Sequence, residues 1–254
     1  MGGEEMDPVA SRWNGEHRGR KLDYVPRLVE ANNRYLVRDA IALKPDWNAS
    51  VWWTGGLVLD QGSEGACVGF GTTGEAMASP VRQRFRAAGM TKATPTEIAN
   101  SVASDVYHRA KEIDEWEGVD YDGTSVRAGL LVGRERGWWA GFNWAKNLDE
   151  VLLALTLGPV VIGVEWREEM YETDEVGRVT VGGGAVGGHC LLVTGFSPRW
   201  GKKREPRFRW RNSWSLSYGV NGNGYVRPED LKDVCFDTGG EAGVVRDRKL
   251  VPSA

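Results

Sequence analysis

The sequence predicts an α+β protein of two lobes, the first helical and the second built from strands. Up to residue 157, apolar side chains recur at helical spacing behind capping signals; after Gly158 and Pro159 they fall into short β-branched and aromatic runs. Helices segregated from strands in this way pack as two lobes, with a cleft where residues from both halves can meet.

The elements follow in order. Residues 1–22 are rich in Gly and charge and read as a tail; residues 23–53 are Pro-punctuated, lack clean periodicity and read as a leader packed on the surface. The domain proper spans 53–254, with a helical lobe over 53–157, a β-rich lobe over 158–235 and a C-terminal segment over 236–254. A first helix is expected over 65–85, carrying Val68, Phe70, Met77 and Val81, although Gly69, Gly71 and Gly74 weaken it and demand a packing reason. Thr94, Pro95, Thr96 and Glu97 form a capping signal for a second helix over 96–111. A third follows Thr124, with Val126, Leu130 and Leu131 as its apolar face and Gly137 as a left-handed stop. Asn147 and Asp149 introduce a fourth, ending at Leu157. Strands are expected over 160–164, 176–181, 189–196, 208–212 and 224–226.

Composition narrows the function. The chain has 254 residues, 41% of them hydrophobic, enough for a full core. Lys and Arg number 32 against 35 Asp and Glu, a net charge of -3, so no field is evident that would recruit nucleic acid or an anionic membrane. The basic residues of 199–211 read as a solvated loop. The first 22 residues lack the apolar core of a secretory signal, and the longest apolar run, 151–164, is broken by Gly158 and Pro159. A soluble, cytoplasmic protein is expected. Three cysteines, an odd number, argue against a disulfide framework, and with only His17, His108 and His189 as nitrogen ligands and no CxxC spacing, neither metal nor cofactor is expected.

Three segments carry chemistry. Residues 60–70 place Cys67 at the start of a helix behind a Gly-rich turn, where unpaired backbone N–H groups and the helix dipole favour a thiolate. Residues 187–196 put His189 at the head of an apolar strand, and a neutral imidazole there can take a thiol proton. In residues 209–214, Asn212 stands before Trp214; an amide carbonyl can orient an imidazole while an indole shields that bond from water. Taken singly, each has a plain alternative: a buried inert cysteine, a hydrogen-bonded structural histidine, a turn asparagine.

Together, QGxxGxC over 61–67, Gly188-His189 leading an apolar strand, and Asn212-Ser213-Trp214 followed by Tyr218-Gly219 and Gly224-Tyr225 resemble the papain family of cysteine peptidases, in the same order along the chain. The resemblance covers residues 53–231. It implies a papain-like fold with a helical lobe, a β-barrel-like lobe and a cleft between them. It further implies Cys67 as nucleophile, His189 as base and then acid, Asn212 as the orienting amide and Gln61, six residues before Cys67, as oxyanion donor. Trp214 corresponds to the tryptophan that shields the His–Asn contact. Gly123 and Thr124 correspond to the stretch that pairs with an extended substrate, and Gly163, Gly188 and Cys190 to the walls of the main specificity pocket.

The departures are informative. Glu64 stands where secreted relatives carry a disulfide cysteine, which implies a cytoplasmic enzyme or one released by lysis; Val68 replaces the usual tryptophan after the nucleophile, which resembles the bacterial and phage-encoded branch, with a host cytoplasm as its setting if phage-encoded. About 50 residues precede the motif, short for the family's helical pro-region. The expected activity is peptide-bond hydrolysis by a monomer whose partners are a peptide or protein substrate and a proteinaceous inhibitor. The same constellation serves cell-wall peptide amidases and acyltransferases, and an idle papain fold could bind peptides or build a phage particle.

Overall fold

The structure, a computed structural model, describes residues 44–86 and 89–251. The tail expected over 1–22, most of the leader and His17 lie outside the described residues.

The helical half holds helices α1 (Cys67–Met77), α2 (Pro95–Ile113), α3 (Val126–Glu135) and α4 (Leu148–Ala154). Helix α1 stops short of the expected residue 85. Ala78 turns extended and Pro80, two residues on, has no N–H to continue the ladder. Helix α2 starts on a full capping box: Thr94 Oγ1 accepts from the Glu97 N–H at 3.2 Å and the Glu97 carboxylate accepts from the Thr94 N–H at 2.6 Å. Helix α3 is capped by Ser125, whose Oγ accepts from the Ala128 N–H at 3.0 Å. It ends where Gly137 adopts φ +74, so that the Gly137 and Trp138 N–H groups reach the Arg134 and Gly133 carbonyls. Asn147 caps α4 through the Glu150 N–H at 2.9 Å.

Two of the three glycines in α1 have a packing reason. A Cβ on Gly69 would stand 2.3 Å from the Ala103 carbonyl oxygen and 2.7 Å from Tyr107 of α2; a Cβ on Gly71 would stand 2.8 Å from Cys190 Sγ. Helix α1 therefore touches α2 on one side and the sheet on the other at backbone distance. Gly74 has room, 3.7 Å from Leu192.

Strands β1 (Val51–Trp52), β2 (Gly141–Trp144), β3 (Val160–Arg167), β4 (Ala185–Trp200), β5 (Glu205–Arg211), β6 (Asn223–Val226) and β7 (Glu241–Arg246) form one open antiparallel sheet, ordered β2-β7-β3-β4-β5-β6, with β1 on β4. The described strands close no barrel. Strands β2 and β7, which periodicity does not announce, extend the sheet from both the helical half and the C-terminal segment: Phe142 faces Val245, and Ile162 faces Ala242. A short helix, α5 (Pro228–Lys232), follows β6.

Residues 176–181 form no strand. Asp174 Oδ1 accepts from the Val176 and Arg178 N–H groups at 3.1 and 2.8 Å, and Gly177 adopts φ +82, so this is a tight turn with isolated bridges to Thr173 and Tyr225. Nor is 199–211 a solvated loop, because 205–211 is β5. Arg207 is buried, and Arg209 packs its guanidinium over the Trp52 ring at 4.8 Å while donating to the Trp53 carbonyl at 2.5 Å. The strand expected over 208–212 is therefore the later part of a longer one that starts at Glu205.

The sheet has a core on each face. Ile162, Leu191, Val193, Phe208 and Trp210 point into one; Val161 and Leu192, at alternate positions, join Val68, Val106 and Leu130 from the helices in the other. No described helix is long and apolar enough to cross a membrane.

Candidate active site

Cys67 is the first residue of α1, so its thiol sits at the positive end of the helix. The packing of α1 on β4 fixes where it faces. Gly71, one turn on, abuts Cys190, and Gly74 abuts Leu192, so this face of α1 runs along β4 in register. Cys67 lies one turn before Gly71 in α1, and His189 immediately precedes Cys190 in β4. Cys67 and His189 are both fully buried.

His189 lies in β4 opposite Val164 of β3. Its Nε2 and Asn212 Oδ1 are 2.8 Å apart, and Oδ1 also accepts the Ser213 N–H at 2.8 Å. Asn212 itself is held by its N–H donating to the Gly222 carbonyl at 2.9 Å, just past the end of β5. The amide oxygen can only accept, so Nε2 is the protonated nitrogen in this contact, which leaves Nδ1 as the acceptor of the neutral ring.

An aromatic cage surrounds the imidazole. Trp214 lies against it with centroids 4.8 Å apart, and Trp166 of β3 meets it edge-on, also at 4.8 Å. Tyr171 stacks on the far side of Trp214 at 5.4 Å and 9°. These rings displace water from the His189–Asn212 bond and present π faces to an imidazolium. Trp166 is absent from the sequence-derived set. Its only signal there is a large aromatic three residues after Gly163 in a β-rich run.

Gln61 joins this cluster through Ser213. The Gln61 N–H donates to the Ser213 carbonyl at 2.9 Å, and Ser213 Oγ donates to Gln61 Oε1 at 2.6 Å. That leaves the amide nitrogen as the outward group of the side chain, and it donates to the Glu64 carbonyl at 2.8 Å. A bridge between Asp60 and Trp214 ties the same two loops one residue further out. Gln61, His189, Asn212 and Trp214 are thus gathered by one strand and one loop pair.

The remaining predicted residues are more dispersed. Gly123 takes φ +82, and its N–H donates to Tyr107 Oη at 3.2 Å; burial pushes the Tyr107 hydroxyl up to about 12. Tyr107 also packs where Gly69 lacks a side chain, which links the Gly123 turn to α1 two residues past Cys67. Thr124 is fully buried and donates its hydroxyl to Asp114 at 2.6 Å. Gly163 pairs with Cys190, and Gly188 with Glu165, across β3 and β4. The Cys190 side chain lies in the seam between sheet and α1, against Gly71. Cys67, Cys190 and Cys235 are in no disulfide. Among the described residues, no group of three or more His, Cys, Asp or Glu is placed to hold a metal ion.

No protein-family model matches the sequence, and no curated protein matches it. Solved structures do. The chain is similar to xylellain, a cysteine protease from Xylella fastidiosa, at 17% identity and a TM-score of 0.62, covering 94% of this chain and 98% of that one. It is similar to procathepsin L 3 of the Tenebrio molitor larval midgut at 13% identity and a TM-score of 0.52, covering 94% and 76%. It is also similar to the bromelain protease from Ananas comosus, determined in complex with the E64 inhibitor, at 10% identity and a TM-score of 0.51, covering 76% and 94%. Helices against an open antiparallel sheet, with α1 and β4 in this register, give the chain the papain-like fold of those cysteine proteases.

Proposed function

We propose that this chain is a cysteine peptidase that hydrolyses peptide bonds through Cys67, His189 and Asn212. The observation that supports the reading is a cysteine at the start of a helix that packs along β4, the strand that carries a histidine whose Nε2 is held by a buried amide.

In this reading the Cys67 thiol gives its proton to His189 Nδ1, and the sulfur attacks the carbonyl carbon of an extended peptide. Negative charge develops on the carbonyl oxygen, where the Cys67 N–H and the Gln61 Nε2 amide donate. His189 returns the proton to the leaving amine, giving a thioester on Cys67. A water molecule deprotonated by His189 then attacks the thioester, releasing the acid and restoring the thiol. Asn212 keeps the ring aligned through both halves, and Gly123, Thr124, Gly163, Gly188 and Cys190 border the bound peptide.

Hydrolysis of a fluorogenic peptide-amide library by the full chain and by Cys67→Ala tests this. Turnover by the former and none by the latter is expected. Turnover that survives Cys67→Ala overturns the reading.

A further inference from the structure

A second surface lies at the other end of α1. The helix has 11 residues and is about 16 Å long, so its C-terminal end is well removed from Cys67. Beyond it, residues 78–81 bend and residues 82–86 join no helix or strand. Their side chains alternate: Arg82, Arg84 and Arg86 are exposed, Val81 and Phe85 are half-buried, and Gln83 is buried. The Gln83 N–H donates to the Ala76 carbonyl at 2.8 Å, whereas those of Arg82, Arg84, Phe85 and Arg86 donate to no described residue. Arg82 leans on Ser79 Oγ at 2.9 Å; Arg84 and Arg86 have no carboxylate within salt-bridge distance among the described residues.

This segment forms one wall of a groove of about 950 Å³. Leu57, Met77, Val81, Phe85 and Leu250 supply its apolar surface, and among the described residues no Asp or Glu lines it. The opposite wall is the chain near residue 250, held by the Gln83 side chain, which donates to the Lys249 carbonyl and accepts from the Val251 N–H at 3.1 Å. Leu250, between those two anchors, is 69% exposed.

We propose that this groove docks an extended, acidic segment of a partner protein. Side chains on one face of an extended chain repeat about every 7 Å, so carboxylates at alternate partner positions match the Arg82, Arg84, Arg86 row. The intervening partner side chains, if apolar, enter the groove beside Phe85 and Leu250. The N–H groups of Arg82, Arg84, Phe85 and Arg86, which meet no acceptor among the described residues, offer the main-chain half of such pairing. The aliphatic floor favours a peptide over a nucleic acid, whose backbone would leave it uncovered. The inference does not depend on the chemistry assigned to Cys67.

The alternative role for three arginines on an exposed edge is to repel pairing, which predicts no affinity for an acidic peptide. Full-length Cys67→Ala protein, which cannot cut the probe by the proposed chemistry, is titrated into a fluorescein-labelled octapeptide of alternating Glu and Val, read by anisotropy. Saturable binding is expected, at least tenfold weaker in the Arg82→Glu/Arg84→Glu/Arg86→Glu variant, at least threefold weaker in Arg84→Glu alone or Leu250→Ser, and weaker at high salt. Circular dichroism checks that each variant is folded. Absent binding, binding unchanged in the charge-reversed variants, equal binding of the alternating Lys and Val peptide, or tighter binding of an oligothymidylate to the same arginines overturns the proposal.

Discussion

Ser213 Oγ donates to Gln61 Oε1 across 2.6 Å, so the proposed oxyanion donor is oriented by the residue next to Asn212. Gln61→Ala is expected to lower kcat by about 10²- to 10³-fold, the usual cost of one such donor. Ser213→Ala leaves the amide in place and held only by the Glu64 carbonyl, and its loss should be smaller and fall on kcat rather than KM. Steady-state kinetics on one peptide amide checks both; a Ser213→Ala enzyme equal to the parent contradicts the positioning role.

Trp166 contacts His189, Trp214 and Trp210, and its buried Nε1 has no hydrogen-bond partner among the described residues. Trp166→Ala should cost about 3–5 kcal/mol in stability by leaving a cavity. Trp166→Phe keeps a ring there and deletes an unsatisfied N–H, so less than about 2 kcal/mol is expected. Urea unfolding of the two variants separates the cases.

The glycines of α1 should respond in opposite directions. Gly69→Ala drives a methyl into the Ala103 carbonyl and the Tyr107 backbone, neither of which can move aside, and should destabilise by about 1–3 kcal/mol. Gly74→Ala meets only Leu192 at 3.7 Å and should stabilise by about 0.5–1 kcal/mol through helix propensity. Thermal melts that rank the two the other way contradict the packing of α1.

Glu75 is buried in α1 and paired with Arg248 at 2.6 Å, yet burial outweighs the guanidinium and pushes its carboxyl up to about 7. The folded-state value exceeds the unfolded one of about 4.3. Between those values the native chain holds a proton that the unfolded chain has released, so this group's contribution to stability is full below the window and is lost as pH rises through it. Denaturant unfolding at pH 5 and pH 8 should show the parent losing up to about 3 kcal/mol relative to Glu75→Gln. Equal changes in the two proteins contradict it.

Much of the fold and the candidate site is legible in the sequence because its signals are local. Thr94 with Glu97 marks a helix start, Gly137 marks a stop, and the His189 strand alternates into two cores. The rest depends on contacts distant in sequence. Strands β2 and β7 are short and defined by each other's pairing, so neither declares itself alone. Asp174 and Gly177 turn a β-rich run into a tight turn. Arg207, buried and paired with Glu205, and Arg209, over the Trp52 ring, make the first half of β5 read as a basic loop. Trp166 joins the cage around His189 only because β3 pairs with β4, and Cys190, adjacent to His189 in sequence, faces α1 because strand neighbours alternate.

The most direct measurement is covalent labelling by E64 followed by peptide mapping. The chain holds three cysteines, and Cys190 and Cys235 are buried without the helix-end position of Cys67. One equivalent of label on Cys67, slowed in Asn212→Ala and absent in His189→Ala, is the result expected of an imidazole-activated thiol. Label on Cys190 or Cys235 instead, or labelling of Cys67 at the same rate without His189, contradicts the account.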